Sequence, residues 1–101
     1  MWLTCDQFAA HLGETFDVGV EGGSTTVEMV LAEAAEGSEL GGPGPEGQQR
    51  RQFSLVFHAP SGTHLPQGTY LVRHSVMGEL ALFLVPLGPE GDTLRYEAAF
   101  A

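Results

Sequence analysis

The stretch Glu79-Leu-Ala-Leu-Phe-Leu-Val-Pro-Leu-Gly88 is the longest apolar run in the chain, and neither of its alternating sets of positions is polar. A strand with water on one side alternates apolar and polar residues. This run therefore predicts a central strand covered on both faces. Pro86 lacks a backbone N–H and is expected to end the hydrogen-bond ladder near the end of that strand.

Period-two alternation recurs on both sides of the run. Phe16, Val18 and Val20 alternate with Thr15, Asp17 and Gly19, which predicts a half-buried strand from Glu14 to Val20. Glu21-Gly-Gly-Ser24 supplies a turn, because glycine accepts positive φ. A second strand follows from Thr25 to Ala34, with Val27, Met29 and Leu31 inward and Thr26 and Glu28 outward. Its tail, Leu31 to Glu36, has local helix propensity, but the β-branched start and the preceding turn favour a strand. Arg50 to His58 is a third strand. Phe53, Leu55 and Phe57 form its inward row, and Gln52, Ser54, Val56 and His58 point out.

Ala59 to His64 and Leu65 to Gly68 are turns, with Pro66 suited to the second position of a β-turn. Thr69 to Val76 is a fourth strand, with Tyr70, Val72, His74 and Val76 on one face and Leu71 and Arg73 on the other. Met77-Gly78 is tight enough to join it to the central run as a hairpin. Pro89 to Asp92 is the next turn. Thr93 to Ala101 is the last strand, with Leu94, Tyr96, Ala98 and Phe100 inward.

The N-terminus has a different period. Thr4 and Gln7 fit a capping box, and Leu3 and Phe8 fit a hydrophobic staple. Cys5, Phe8, Ala9 and Leu12 fall on one helical face, and Gly13 suits the left-handed residue that ends a helix. A helix within Met1 to Gly13 is expected to lie on the sheet, because so short a helix is not stable alone. Gly37 to Gln49, with its Gly-Gly-Pro-Gly-Pro-Glu-Gly core, predicts a mobile loop that neither nucleates a helix nor holds a ladder.

One helix followed by six strands without helical crossovers predicts a mainly β, antiparallel domain. The expected architecture is a small six-stranded barrel or a two-layer sandwich, which hides the strand edges, with the helix over one end or one edge. A chain of 101 residues is one domain, 1–101.

Charge narrows the partners. The formal net charge is −9, with thirteen acids against four arginines and no lysine. Nucleic acid and anionic lipid surfaces both need a basic footprint, so both are disfavoured. A basic protein partner is allowed but not required, because net charge bears first on solubility. A single cysteine makes no internal disulfide, which fits a reducing compartment. No apolar run approaches the roughly 18 residues of a membrane helix, and the N-terminus has no basic and apolar leader. The expectation is a soluble protein, cytoplasmic or exported within an assembly without a signal peptide.

The candidate chemistry is thin. His11, His58, His64 and His74 show no metal-ligand spacing, and Cys5 has no Cys-x-x-Cys partner, so no metal and no cofactor are expected. His74 shares the inward face of Tyr70 and Val72. A buried histidine must be hydrogen-bonded, so it reads as a polar pin tied to a turn backbone or to a carboxylate such as Glu79 or Glu97. Cys5 lies just past the helix N-cap, where a thiol pKa falls, but also on the apolar face with Phe8, which makes it a core cysteine. The acids are scattered without the grammar of a calcium loop, and no phosphate-binding glycine motif or Gly-x-Ser-x-Gly elbow occurs.

Several blocks in order carry a family resemblance. They are Phe53-Ser-Leu-Val-Phe57, Leu65-Pro-Gln-Gly-Thr-Tyr70, His74, Met77-Gly-Glu79, Leu82-Phe-Leu-Val-Pro86 and Tyr96-Glu-Ala-x-Phe100, with the Phe8 to Phe16 stretch before them. Together they resemble a small bacterial family of uncharacterised proteins, often encoded beside proteins with a phage-tail-collar domain. The match spans nearly the whole chain except the Gly/Pro loop. His58 departs from it, since the family pattern expects a bulkier polar or basic residue there. The resemblance implies an accessory or assembly role and brings no catalytic residues.

The leading expectation is a non-enzymatic domain that binds another protein as an accessory, assembly or structural adaptor, with a tail-collar-like fibre protein as the candidate partner. Val56 and His58 on the outer row of the third strand are its candidate contacts, together with strand addition at the edges of the first or last strand. The alternatives are a small hydrolase or transferase using Cys5 or His74, and a small-ligand binder lined by Phe53, Phe57, Tyr70, Tyr96 and Phe100. In a barrel this small, those rings are expected to fill the interior rather than line a cavity.

Overall fold

Six antiparallel strands close on themselves, so no strand is left at a sheet edge. The computed structural model describes residues 4–19, 26–43 and 49–100, with the side chains of 37–43 and 49–51 outside that description. A short helix, α1 (Cys5–Ala9), precedes β1 (Thr15–Gly19), β2 (Thr26–Pro43), β3 (Gln49–Pro60), β4 (Gly68–His74), β5 (Gly78–Glu90) and β6 (Thr93–Phe100). Around the barrel the order is β1-β2-β3-β6-β5-β4, with β4 pairing back onto β1. The architecture is the barrel rather than the sandwich. Leu3, Val20 and the 21–24 turn lie outside the described residues.

The inward rows form the core. Phe16, Val18, Met29, Leu31, Leu55, Phe57, Val72 and Leu84 are each at most 1% exposed. Each such side chain contributes roughly 1.5–3 kcal/mol when removed from water. Phe16 and Phe57 meet edge-on inside the barrel, with centroids 5.4 Å apart at 75°. The interior is filled by its own side chains.

The helix closes one end. Thr4 caps it with both bonds of the capping box: the Thr4 N–H donates to Gln7 Oε1 at 2.9 Å, and the Gln7 N–H donates to Thr4 Oγ1 at 3.4 Å. Phe8 is fully buried there and packs on Phe53 and Phe100, whose own rings stack at 4.4 Å. At the opposite end two tyrosines hold the crossover between β3 and β4. Tyr96 Oη accepts the Leu65 N–H at 3.1 Å, and Tyr70 Oη donates to the Pro66 carbonyl.

Several expectations need correction. The apolar run in β5 is not covered on both faces: Leu82 and Leu84 are buried, but Ala81 is exposed and Phe83 is 50% exposed. A barrel wall is one sheet thick, and the helix α1 sits over an end, so among the described residues no second layer covers the outside. The ladder also does not end at Pro86. β5 pairs Pro86 with Tyr96 and then shifts register so that Gly88 faces Arg95. Leu87 is the extra residue of this bulge, and Gly88 adopts φ +100°. β4 pairs with β5 only as far as Leu84, so beyond it an absent N–H is tolerated on that side.

β4 stops at His74, which leaves Val76 in the turn and 73% exposed rather than inward. The helix stops at Ala9, and Leu12 lies half exposed in the following turn. The expected 37–49 loop is shorter than its composition suggests. β2 continues to Pro43 and β3 begins at Gln49, through pairs Leu40↔Arg51 and Pro43↔Gln49 separated by register shifts. Irregular pairing accommodates the glycines and proline that a regular ladder rejects. Residues 44–48 lie outside the described residues. Finally, strand addition at β1 or β6 loses its basis, because β1 lies between β2 and β4, and β6 between β3 and β5.

Candidate functional site

The polar centre of the molecule forms where the helix turn meets the end of β4. Gly13 adopts φ +82°, a left-handed value that glycine accepts without strain. Its N–H donates to the Leu31 carbonyl at 2.8 Å, and the Leu31 N–H donates to the Glu14 carbonyl at 3.1 Å. These two bonds clamp the chain before β1 onto β2 and aim Glu14 across the barrel mouth. His11 sits one turn earlier, with its Nδ1 3.0 Å from Glu14 Oε1.

His74, the last residue of β4, completes the group. It is buried, with only 2% of its side chain exposed. Its Nδ1 accepts the N–H groups of Val76 and Met77, each at 3.1 Å. Its Nε2 lies 2.7 Å from Glu14 Oε1. An atom that accepts two N–H bonds carries no proton, so the proton is on Nε2 and is donated to the carboxylate. The ring stacks on Phe16 at 4.5 Å and 29°, and His11 packs against it with centroids also 4.5 Å apart. The turn backbone and a carboxylate thus hold His74. The carboxylate is Glu14, not Glu79, which is bound to Arg73 at 2.9 Å, nor Glu97 on β6.

The electrostatics follow from these bonds. The hydrogen bond from His74 holds the Glu14 carboxyl below its ordinary value of 4.5. Partial desolvation works against that shift, and the hydrogen bond from His11 adds to it.

Among the described residues, His11, Glu14 and His74 each offer one ligand atom within 4.8 Å of the others, a cluster that could hold a metal ion. The donor set fits poorly. A histidine that ligates through one nitrogen normally donates an N–H from the other. A metal on Nε2 of His74 would move the proton to Nδ1, where two backbone N–H groups already point. The arrangement does the work of a latch between the helix turn, β1 and β4. The sequence gives part of it, since His11 and Glu14 are spaced i,i+3. Nothing in the sequence announces a partner sixty residues away.

The other singled-out residues lie elsewhere. Cys5 is buried in the core with Phe8, and burial is the first cause that raises its thiol pKa, ahead of the Glu36 and Asp6 charges. Val56 is half-buried on the outer row of β3, opposite Glu33 on β2 and Glu97 on β6. His58 is half-buried, with Nδ1 3.3 Å from Thr93 Oγ1 and Nε2 3.8 Å from Glu90 Oε2. His64 is exposed in the β3–β4 crossover. Of the rings expected to face the interior, Phe53, Phe57, Tyr70 and Tyr96 are buried and Phe100 is half-buried.

The apolar surface that sequence reasoning missed is on β4 and β5. Leu71 and Phe83 are each 50% exposed on the outer wall. Leu71 faces Ala81, and Phe83 faces Thr69, so the two large side chains are diagonal neighbours on one face. Among the described residues no helix is long and apolar enough to cross a membrane.

No curated protein and no solved structure matches the chain. A family model does, over residues 3–100. On that match the chain belongs to the family described as Domain of unknown function (DUF6916).

Proposed function

We propose that this domain binds another protein and acts as an accessory, assembly or structural adaptor rather than as an enzyme. The observation that carries the reading is the contrast between the two sides of one wall. Leu82 and Leu84 fill the interior, while Leu71 and Phe83 stand half exposed outside it. Half-exposed large apolar side chains gathered on one face mark interaction surfaces more often than scattered single ones do. The latch residues support the same reading, since both nitrogens of His74 are engaged in hydrogen bonds. A tail-collar-like fibre protein is the candidate partner, on the sequence resemblance described above.

The test is capture of partners from the lysate of the producing organism on the immobilised domain, read by mass spectrometry. Val56→Glu serves as the second bait, because Val56 is the sequence-derived contact. Stoichiometric recovery of a fibre or collar-like protein is expected with the wild type. Loss of that partner on Val56→Glu places the contact on β3, and its retention moves the contact to another part of the wall. Recovery of no partner at all overturns the adaptor reading.

A further inference from the structure

We propose that the outer face of β1, β4 and β5 docks a segment of another protein that carries lysine or arginine beside apolar side chains. The inference rests on the protein-binding reading and adds to it a location and a partner chemistry.

The apolar half of the surface is Leu71 and Phe83. Gly19 on β1 faces Leu71 from the other side and has no side chain to cover it. Leu71 therefore stands between a glycine and an alanine, open to an incoming side chain.

The charged half is a row running across four strands: Glu28, Asp17, Arg73 and Glu79 lie opposite one another in turn. Arg73 is committed to Glu79 at 2.9 Å. Asp17 and Glu28 then face each other, both exposed, and neither has an ion-pair partner among the described residues. Like charges directly opposite on a sheet destabilise it, and Arg73, though opposite Asp17, is bonded to Glu79, so a further cation laid over the pair is favoured. The two acids line a depression with Thr15, Arg73, His74 and Ser75. Arg73 is two residues from Leu71 on the same outer face, so the depression and the apolar pair are contiguous.

Charge complementarity decides the occupant. An acidic segment meets Asp17 and Glu28 and a whole-chain charge of −9. A second copy of this chain brings the same acids. A basic segment gains from both the local pair and the long-range field, and its apolar side chains cover Leu71 and Phe83.

The test uses a fluorescein-labelled peptide of alternating leucine and lysine, with a second peptide in which serine replaces leucine, read by anisotropy at low salt. The full chain is compared with Leu71→Ser/Phe83→Ser and with Asp17→Asn/Glu28→Gln. A control, Glu33→Gln/Glu97→Gln, removes the same number of charges around Val56. The apolar double variant is expected to weaken binding of the leucine–lysine peptide at least about tenfold. The acid double variant should weaken it about fivefold. The control should stay within about twofold of the wild type, and the serine peptide should bind more weakly than the leucine one.

Equal weakening by the control and by Asp17→Asn/Glu28→Gln reduces the effect to net charge and overturns the site. Undiminished binding by Leu71→Ser/Phe83→Ser overturns it as well. The lysate capture separates the two readings. A partner held equally by the wild type and by Leu71→Ser/Phe83→Ser sinks this surface and leaves the protein-binding reading in place. No partner for the wild type sinks that reading, and the peptide comparison then judges the surface alone.

Discussion

His74 Nε2 donates to Glu14 Oε1 across 2.7 Å and so ties the end of β4 to the residue just ahead of β1. β1 and β4 are also hydrogen-bonded neighbours, and their pairing closes the barrel. The latch therefore sits beside the seam of the closed sheet. Its loss should be felt as loss of closure, with the helix turn released at the same time.

The first consequence is a dependence on acid. Glu14 titrates below its ordinary value of 4.5 in the folded chain, chiefly through the His74 hydrogen bond. A carboxylate with a lowered folded-state pKa binds its proton more readily in the unfolded chain. Its stabilising effect is fully present above that ordinary value and is lost as pH falls through the lowered one. Urea unfolding of the wild type and Glu14→Gln should therefore differ most near neutral pH, and the difference should shrink below about pH 4.5. A difference that stays constant from neutral to acid pH would show that the Glu14 charge has no part in the latch.

The histidines should separate by role. His74→Ala removes a buried ring stacked on Phe16 and leaves the Val76 and Met77 N–H groups without their acceptor. A loss of about 2–4 kcal/mol is expected. His11→Ala removes a more exposed partner of a half-exposed carboxylate and should cost no more than about 1 kcal/mol. Denaturant midpoints at neutral pH give both values. Equal losses for the two variants would contradict the assignment of His74 as the buried member.

Zinc should leave the melting temperature of the wild type unchanged. The reason is the tautomer of His74, whose Nδ1 already accepts two backbone N–H bonds. A melting temperature that rises with zinc, and no longer rises in His11→Ala, would mean that the three groups serve as ligands after all.

The Cys5 thiol should resist labelling. It is buried in the core, and its pKa is raised first by that burial and then by Glu36 and Asp6. Reaction with a disulfide reagent at mildly alkaline pH should run at least about tenfold slower in the folded chain than in urea. Labelling at the unfolded rate would place the thiol outside the core and restore interest in it as a nucleophile.

The legibility of the fold in the sequence divides along a physical line. The inward rows Phe16/Val18, Met29/Leu31 and Leu55/Phe57 follow directly from period-two alternation, whereas the unbroken apolar run of β5 does not show that Leu82 and Leu84 rather than Phe83 face inward. The capping box at Thr4 and Gln7 is likewise local, since both of its bonds span three residues. At the candidate site the inward face of His74 was within reach by alternation, and the i,i+3 spacing of His11 and Glu14 is local as well. The pairing of Glu14 with His74 depends on how the β1–β4 seam closes, and no local pattern encodes that closure.

The sequence by itself determined which residues can be buried, that short strands are separated by turns and that the sheet is antiparallel. These properties are set by side-chain period and backbone conformation over a few residues. Only the tertiary structure decided what is actually covered. Phe83 is as apolar as its neighbours Leu82 and Leu84, yet it stands half exposed, because a closed barrel has one inside and, among the described residues, no second layer lies over its wall. Apolar composition says that a residue gains from burial. Whether anything lies over it depends on contacts between segments far apart in the chain.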